Sequence, residues 1–385
     1  MMLSAVAKTS QKRLVARERI GCRRLPAQLP HERPIASITS LFMRRVSLSI
    51  SADIPYPAEL YVPLRTRFAS NRIAFANGKV LGVKIQENPG LPRIDLPGLA
   101  AHRRRTFHLA PSRPLSSQSQ ALAFVKRRGY VFFWPIKGID LPSLWTAVAG
   151  DRPVADKHDD PGHVTWGWKD DALPKRIWYY AKVLRRKATM ISLEVAPYFY
   201  ALSENYGSPE EDHELAYEQG HLTLAAKNVY EALLTNGPLD SISLRKAGRM
   251  AGAKESAWNR ALEDLQMDFK ILPVGVAEAG AWKYAFIYEI VSRHFPELAE
   301  QARRISESGA RDRLLQLYFE SVGAAQVRQA GKLFGWSSEL TNRAAARLVQ
   351  RGELSLAAHP QEQGEWLALT SLCTLGSRRP RSGRK

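Results

Sequence analysis

The residues best suited to chemistry are carboxylates and imidazoles that cluster between positions 158 and 171. HDDPGH occupies 158–163, and Asp170 and Asp171 follow closely. Side chains of these types can exchange protons with a substrate or ligate a divalent ion. Their spacing matches no specific metal motif, and a solvated acidic loop is the simpler interpretation. We therefore predict no metal and no cofactor, and retain Asp159, Asp160 and His163 as candidate catalytic residues.

A second group combines aromatic rings with basic side chains. TWGWKDD begins at Thr165, and RIWYYAKVLRRK covers 176–187. Rings can stack on nucleobases while Lys and Arg neutralise phosphates, so this pattern favours a nucleic-acid surface. The alternative is that the rings fill the core and the basic residues form a solvated edge. The candidates for DNA contact are Trp166, Trp168, Lys169, Lys182, Arg185, Arg186 and Lys187.

The aromatic run GYVFFWPIKGIDLPSLW, residues 129–145, poses the same question. As a strand, it would direct Phe132 and Trp134 to one face and Phe133 to the other. If that face is a cleft, Phe132 and Trp134 form a stacking platform with Lys137 beside it. If it faces inward, the two rings belong to the core.

The elements around these residues can be predicted from helix caps and periodicity. SSQSQALAFVKRRG predicts a helix that begins after a serine cap and ends at Gly129. YVFFWPI follows as a strand and LPSLWTAVAG as a helix with Pro142 in its first turn. We predict a long loop over 151–171, and mixed strand and helix over 176–193.

The remaining chain shows one pattern twice, about 85 residues apart. Three helices, a strand, a turn and a strand fit 224–291, and the same order fits 310–372. This is the order of a winged helix-turn-helix. The predicted fold class is therefore mainly α with small β-hairpin wings, in tandem winged helix-turn-helix domains.

The third helix of such a domain normally enters the major groove of DNA. The third helices of both copies therefore provide candidates for DNA contact. Because residues 201–300 carry a net negative charge, DNA contact is favoured for the last copy. From the earlier copy these are Lys254, Trp258, Asn259 and Arg260; from the later copy they are Thr341, Asn342, Arg343 and Arg347.

The positive charge of the chain, +19 in total, lies mostly in its flanks. Residues 1–114 carry 20 Lys/Arg against 6 Asp/Glu, and 373–385 carry 5 against none, whereas 115–372 is neutral. We predict a largely disordered basic extension at 1–114, with order beginning near Ser116, and a basic tail at 373–385. Between them we predict domains at 115–205, 215–292 and 308–372.

Cysteine content and hydropathy limit the compartment. Cys22 and Cys373 are the two cysteines of the sequence, which provides no disulfide framework and fits a reducing compartment. The sequence has no secretory h-region and no apolar run of transmembrane length. These features predict a cytoplasmic, nucleoid-associated protein with no membrane contact. No Gly-rich phosphate loop, nucleophile elbow or Cys–His pair is present.

Residues 118–372 resemble the bacterial AlkZ/YcaQ-type winged-helix DNA glycosylases of interstrand-crosslink repair. The resemblance depends on Gly237-Pro238-Leu239, on RALEDLQMDFKILPVG at 260–275, on the last winged copy and on the helix–strand–Pro–helix layout of 120–148. The phrases FFWPIKG, LPSLW, HDDPGH and TWGWKD place it nearest the AlkZ-related branch. The resemblance implies tandem winged helices that cradle double-stranded DNA, either damaged or distorted.

One departure from the family affects the expected activity. The resemblance implies a Gln-aliphatic-Gln or Gln-aliphatic-Asp strand that positions water at the sugar, and alignment on Pro135 puts Phe132, Phe133 and Trp134 there. None of these side chains can act as a general base. We therefore predict a DNA-binding relative of the glycosylases. Two alternatives stay open: an active glycosylase with a non-standard site, and a protein-interaction scaffold.

Overall fold

The computed structural model describes residues 91–110, 113–154, 160–281 and 283–374. The described part is mainly helical, with small antiparallel sheets, as predicted. Three helix-and-sheet repeats follow one another, and each sheet has three strands with the last strand in the middle.

The first repeat covers residues 118–191. Its elements are α2 (Gln118–Arg128), β2 (Tyr130–Phe132), α3 (Leu144–Ala149), α4 (Val164–Ala172), β3 (Tyr179–Ala181) and β4 (Thr189–Ile191). The order in its sheet is β2-β4-β3, with Val131 and Tyr180 both opposite Met190. Local signals set the helix ends, because the Ser117 side chain accepts from the Gln120 N–H and Gly129 ends α2 at φ +80°.

The second and third repeats have the same order and topology. The second has α7 (Leu224–Asn236), β5 (Leu239–Asp240), α8 (Ser241–Ala247), α9 (Glu255–Met267), β6 (Ile271–Ala277) and β7 (Ala285–Ile290). The third has α12 (Glu307–Val322), β8 (Ala324–Gln326), α13 (Val327–Phe334), α14 (Ser338–Gln350), β9 (Leu354–Ala357) and β10 (Trp366–Leu369). Their sheets run β5-β7-β6 and β8-β10-β9.

Short elements join and flank the repeats. Before the first repeat lie β1 (Arg93–Ile94) and α1 (Leu96–Thr106), and after the third lies β11 (Cys373–Thr374). Between the first two are α5 (Ala196–Tyr200) and α6 (Pro209–Glu218), and between the last two are α10 (Val291–His294) and α11 (Leu298–Arg303).

Part of the predicted basic extension is folded. α1 packs on α12, where Thr106 Oγ1 donates to the Ser321 carbonyl at 2.6 Å and Arg103 Nε to the Val322 carbonyl at 2.9 Å. β1 pairs with β11, at the start of the predicted basic tail. Residues 93–106 of the predicted extension therefore form a strand and a helix, because long-range contacts fix these short elements. Residues 1–90 and 111–112 of the predicted extension, and residues 375–385, lie outside the described residues.

The predicted long loop at 151–171 is also wrong in its second half. Asp160 caps a 3₁₀ turn at Pro161–His163 by accepting from the Gly162 N–H at 2.7 Å, and α4 continues from it. Thr165 and Lys169, four residues apart, face inward on α4. Pro142 lies just before the Ser143 cap of α3 rather than in its first turn.

One large core cluster joins all three repeats. It contains Phe132 of β2, Tyr179 of β3, Phe269 after α9 and Phe319 of α12. Separate clusters fill the second repeat and the interior of the first. The three repeats therefore pack together around one shared core.

Candidate functional site

The turn between β3 and β4 carries the basic run of the first repeat. Arg185 and Arg186 both have positive φ, 55° and 56°, a conformation that costs a non-glycine residue free energy. Thr189 holds the turn, since its Oγ1 accepts from the Leu184 N–H at 3.2 Å and donates to the Lys187 carbonyl at 2.8 Å. This turn projects Arg185 and Lys187 as exposed side chains.

A cleft of about 530 Å³ lies beside this turn. We call it the basic cleft, because five of its lining residues are cationic and one is acidic. The acidic residue, Asp140, is already paired with Arg103 at 3.2 Å. The cations come from three distant segments of the chain: Lys137, Arg185, Lys187, Arg328 and Lys332. The arrangement can bind a polyanion.

A second cleft of about 510 Å³ adjoins the first and shares Arg185, Lys332 and Leu333 with it. We call it the aromatic cleft. Phe334 and Trp336 line it and stack with ring centroids 4.3 Å apart and an angle of 13° between the planes. Asp268 is the acidic residue among its lining residues, and burial raises the pKa of that carboxyl to about 6.

The raised pKa of Asp268 predicts the effect of Asp268→Asn on stability. Folding favours the protonated acid, so this group stabilises the fold at low pH, and that contribution is lost as pH rises through about 6. At pH 7.5 we expect the variant to be more stable than wild type by about 2 kcal/mol, since the costly charge is absent. Denaturation in urea from pH 4 to 8 measures this difference. A difference that does not shrink toward pH 4 would contradict the assignment.

Two of the predicted DNA-binding cations form ion pairs with another part of the chain. Lys182 Nζ pairs with Glu263 at 2.8 Å, and Arg186 Nη2 pairs with Asp264 at 2.5 Å. Both carboxylates lie on α9 of the second repeat. Lys182 and Arg186 therefore dock the turn of the first repeat against α9, whereas Arg185 and Lys187 are left for an external anion.

Phe132 and Trp134 do not share a face. Phe132 is fully buried in the joint core cluster. β2 ends at Phe132, so strand alternation does not extend to Trp134, which packs with Phe133 against the interior of the first repeat. No face of Phe132 is left for a base, and the core alternative applies to it. Lys137 is exposed and lines the basic cleft.

Lys169 is likewise not a surface cation, since its side chain is 3% exposed. Its Nζ lies 2.6 Å from Asp170 Oδ1 and 2.9 Å from Tyr284 Oη, and Tyr284 in turn donates to Asp170 at 3.0 Å. Burial lowers the pKa of this lysine. Five rings surround the ammonium: Phe133, Trp166, Tyr180, Tyr284 and Phe286. Lys169 joins α4 to β7 of the second repeat.

Trp166 and Trp168 are both partly buried on α4. Trp166 lies within the ring cluster, 5.9 Å from Trp134, and Trp168 packs against the same interior cluster. The Trp168 carbonyl accepts from Gln118 Nε2 at 2.7 Å. Neither residue lines either cleft, so the structure does not bring them together with Arg185 and Lys187.

The acid–base candidates lie elsewhere. Asp160 pairs with Arg152 at 2.6 Å, and that hydrogen bond holds the pKa of the carboxyl below its usual value. The His163 ring packs between Trp145 and Trp166. His158 and Asp159 lie outside the described residues. Asp160 therefore serves as a turn cap and ion-pair partner, which is a structural role.

The candidates on α14 divide into one that supports the fold and two that are exposed. Arg347 makes hydrogen bonds to both oxygens of Asp312, at 2.7 to 2.9 Å, and so braces α14 on α12. Asn342 and Arg343 are exposed, and Arg343 pairs with Glu339 one turn earlier. Of the α9 candidates, Trp258 is buried, whereas Lys254, Asn259 and Arg260 are exposed.

Sequence reasoning missed Arg328, Lys332 and Trp336. In the predicted helix-turn-helix, α13 is the second helix, whereas the residues expected to contact DNA come from the third helix. The available signal was the spacing of Arg328 and Lys332, four residues apart and thus on one face of the helix. What faces them, the turn at 182–188, could not be read from the sequence.

Comparisons with known proteins give one family and one structural likeness. No curated protein matches the chain. Among solved structures, Streptomyces sahachiroi DNA glycosylase AlkZ is similar at 15% identity and a TM-score of 0.47, over 72% of this chain and 71% of that chain. No helix in the described residues is long and apolar enough to cross a membrane.

The resemblance inferred from the sequence is confirmed by the family comparison. The family model described as AlkZ related matches residues 115–335, which is more than half of the 385 residues. The matched span contains the first two repeats, the turn at 182–188 and α13. The chain belongs to the AlkZ-related family.

Proposed function

We propose that this protein binds double-stranded DNA, damaged or distorted, and that the basic cleft holds the phosphate backbone. The observation that carries this proposal is the set of exposed cations that three distant segments bring to one cleft. Phosphate neutralisation by Lys and Arg provides most of the sequence-independent affinity for DNA. The glycosylase named in the structural comparison acts on DNA, which agrees with this proposal without supporting it further.

The three repeats are, in this proposal, tandem winged helices. In each repeat the order is helix, strand, helix, helix, strand, strand, with the first strand beside the last, as in a winged helix. The turn at 182–188 is then the wing of the first repeat, and α4, α9 and α14 are the third helices. The domain limits 115–205, 215–292 and 308–372 follow from this assignment.

The strand that carries catalytic glutamines in the glycosylases is, we infer, core in this chain. Phe132 and Phe133 are both buried, and neither can position or activate water. A DNA-binding protein without glycosidic cleavage at this strand is the function we favour. The same proposal locates the protein in the cytoplasm, in association with the nucleoid, and assigns it to bacterial DNA repair.

A second candidate function is hydrolysis at a non-standard site. The observation that favours it is Asp268, a carboxyl whose pKa is raised to about 6 by burial and which lines a cleft. Such perturbed groups are common at catalytic positions. Release of abasic sites from an alkylated or crosslinked duplex, lost in Asp268→Asn, would establish this function; no release by wild type would exclude it.

Changing three cleft lysines together tests the DNA proposal. Lys137, Lys187 and Lys332 are exposed and line the basic cleft. Replacing all three with Gln removes three phosphate-neutralising charges, and we expect duplex affinity at about 100 mM salt to fall about 10- to 100-fold. Fluorescence anisotropy with a labelled duplex and the full chain measures the change.

A second triple variant controls for net charge. Lys175, Lys246 and Lys283 are also exposed, and none of them lines either cleft. Their replacement with Gln changes the charge by the same amount, and we expect affinity within about 3-fold of wild type. Equal losses in the two variants would mean that the cleft has no special role. Absence of duplex binding by wild type would favour the scaffold alternative.

A further inference from the structure

We propose that the aromatic cleft accepts one unpaired nucleotide, with its base on Trp336 and its phosphate between Arg185 and Lys332. This inference rests on the proposed DNA binding and names what the second cleft adds to it. The basic cleft alone explains contact with a paired backbone. The aromatic cleft, by contrast, combines rings with cations and one carboxyl, which a backbone does not require.

The position of Trp336 is fixed by its turn. α13 ends at Gly335, which is in the left-handed conformation at φ +75°, and the Trp336 N–H then donates to the Gly331 carbonyl at 3.0 Å. Ser337 caps α14 directly afterwards. The backbone of Trp336 is therefore fixed between two helices, and its indole is stacked on Phe334 before any ligand binds, which lowers the ordering cost of stacking.

The rings behind Trp336 form a rigid support. Phe334 stacks on Trp336, and Tyr130 and Tyr318 contact Phe334 edge-on at 6.0 and 6.2 Å. Tyr130 is itself anchored by a hydrogen bond from its hydroxyl to the Leu314 carbonyl, 2.8 Å. Within the described residues Phe334 is the one ring in contact with Trp336, so Trp336 is the outer member of this column. A base that stacks on it extends the column by one ring.

The charges around the aromatic cleft match a nucleotide. Arg311 is paired with Glu307 at 2.9 Å and Arg186 with Asp264, so these cations are already neutralised. Arg185 and Lys332 are exposed and shared with the basic cleft, and the Arg185 Nη1 donates to the Lys332 carbonyl at 3.1 Å. A phosphate bound there lies where the two clefts meet, and its base enters the aromatic cleft.

Asp268 could distinguish one base from another by a hydrogen bond. A carboxylate accepts hydrogen bonds from exocyclic amino groups, such as that of cytosine. The cleft volume of about 510 Å³ lies within the range of small-molecule sites. A single unstacked nucleotide fits these features together: the aromatic support, the paired structural cations, the two exposed cations and the one acceptor.

Duplexes that carry a one-nucleotide bulge test this inference with the full chain. We expect wild type to bind the bulged duplex about 10-fold more tightly than the fully paired duplex, because one base–indole stack is added. A 2-aminopurine at the bulge should lose fluorescence on binding through contact with Trp336. Trp336→Ala should remove the preference and the quenching, and change affinity for the paired duplex by less than about 2-fold.

Further variants separate stacking from folding. Trp336→Phe keeps a ring and should retain most of the preference, whereas Trp336→Leu keeps apolar volume and should lose it. Tyr217→Ala, at a partly exposed ring on α6 outside both clefts, should bind both duplexes as wild type does. Quenching and preference that survive in Trp336→Leu would overturn the inference. Salt-dependent binding of paired duplex without bulge preference would overturn this inference alone, whereas no DNA binding would overturn the proposed function too.

Discussion

Phe132→Ala is expected to lower the free energy of unfolding by about 3–5 kcal/mol, the usual cost of deleting a buried phenyl ring. Phe132 has no exposed surface, and it lies in the core cluster that the three repeats share. Its removal leaves a cavity in that shared core. Urea denaturation followed by circular dichroism measures the loss.

The same variant distinguishes core from stacking platform. The protein that stays folded should bind duplex DNA as wild type does, because the basic cleft keeps its lysines. Trp134→Ala is the companion variant: Trp134 is partly exposed and contacts Phe133 at 4.7 Å and Trp145 at 5.0 Å. We expect it to destabilise the fold less than Phe132→Ala. If Phe132→Ala lost DNA affinity while its melting temperature stayed unchanged, Phe132 would be part of a stacking platform rather than of the core.

Asp170→Asn is the second change with a large expected effect, a loss of about 3 kcal/mol at pH 7. The substitution removes the partner charge from a nearly buried ammonium, which leaves Lys169 charged among five rings. The carboxamide introduced by the substitution would still accept from Tyr284, so the loss reports on the charge. Since burial already lowers the pKa of Lys169, the deficit should shrink as pH rises and the lysine releases its proton.

Lys169→Met provides the matched control. Methionine fills a similar volume without a charge, so Lys169→Met together with Asp170→Asn replaces the whole ion pair by uncharged groups, which is often close to neutral. The double variant Lys169→Met, Asp170→Asn should therefore be more stable than Asp170→Asn alone. Thermal melts of the three variants at pH 7 and pH 9.5 measure this coupling. If the stability lost by the double variant equalled the sum of the losses in the two single variants, the pair would not link α4 to β7 as described.

Local signals predicted the elements that local contacts fix. Ser117, Gly129 and Gly237 mark helix ends by capping and positive φ, which depend on neighbouring residues alone. The repeated order of helices and strands was visible for the same reason. α1 and β11 were missed because a short helix and a two-residue strand form here through contacts across more than 200 residues.

The candidate site was harder to predict, because side chains of the same type have different roles in the structure. Lys182, Arg185, Arg186 and Lys187 are four cations of one turn, and two of them pair with α9 while two stay exposed. That division depends on carboxylates about 80 residues away. The sequence alone shows that the run is basic, but only the structure shows which of its members pair with a carboxylate.

The salt dependence of duplex binding tests the central claim most directly. Each phosphate neutralised steepens the fall of log affinity with log salt by about 0.9, so wild type and the Lys137, Lys187, Lys332 variant should differ in slope by about 2–3. The Lys175, Lys246, Lys283 variant should keep the slope of wild type. That result is what binding in the basic cleft predicts. Identical slopes for all three proteins would contradict it.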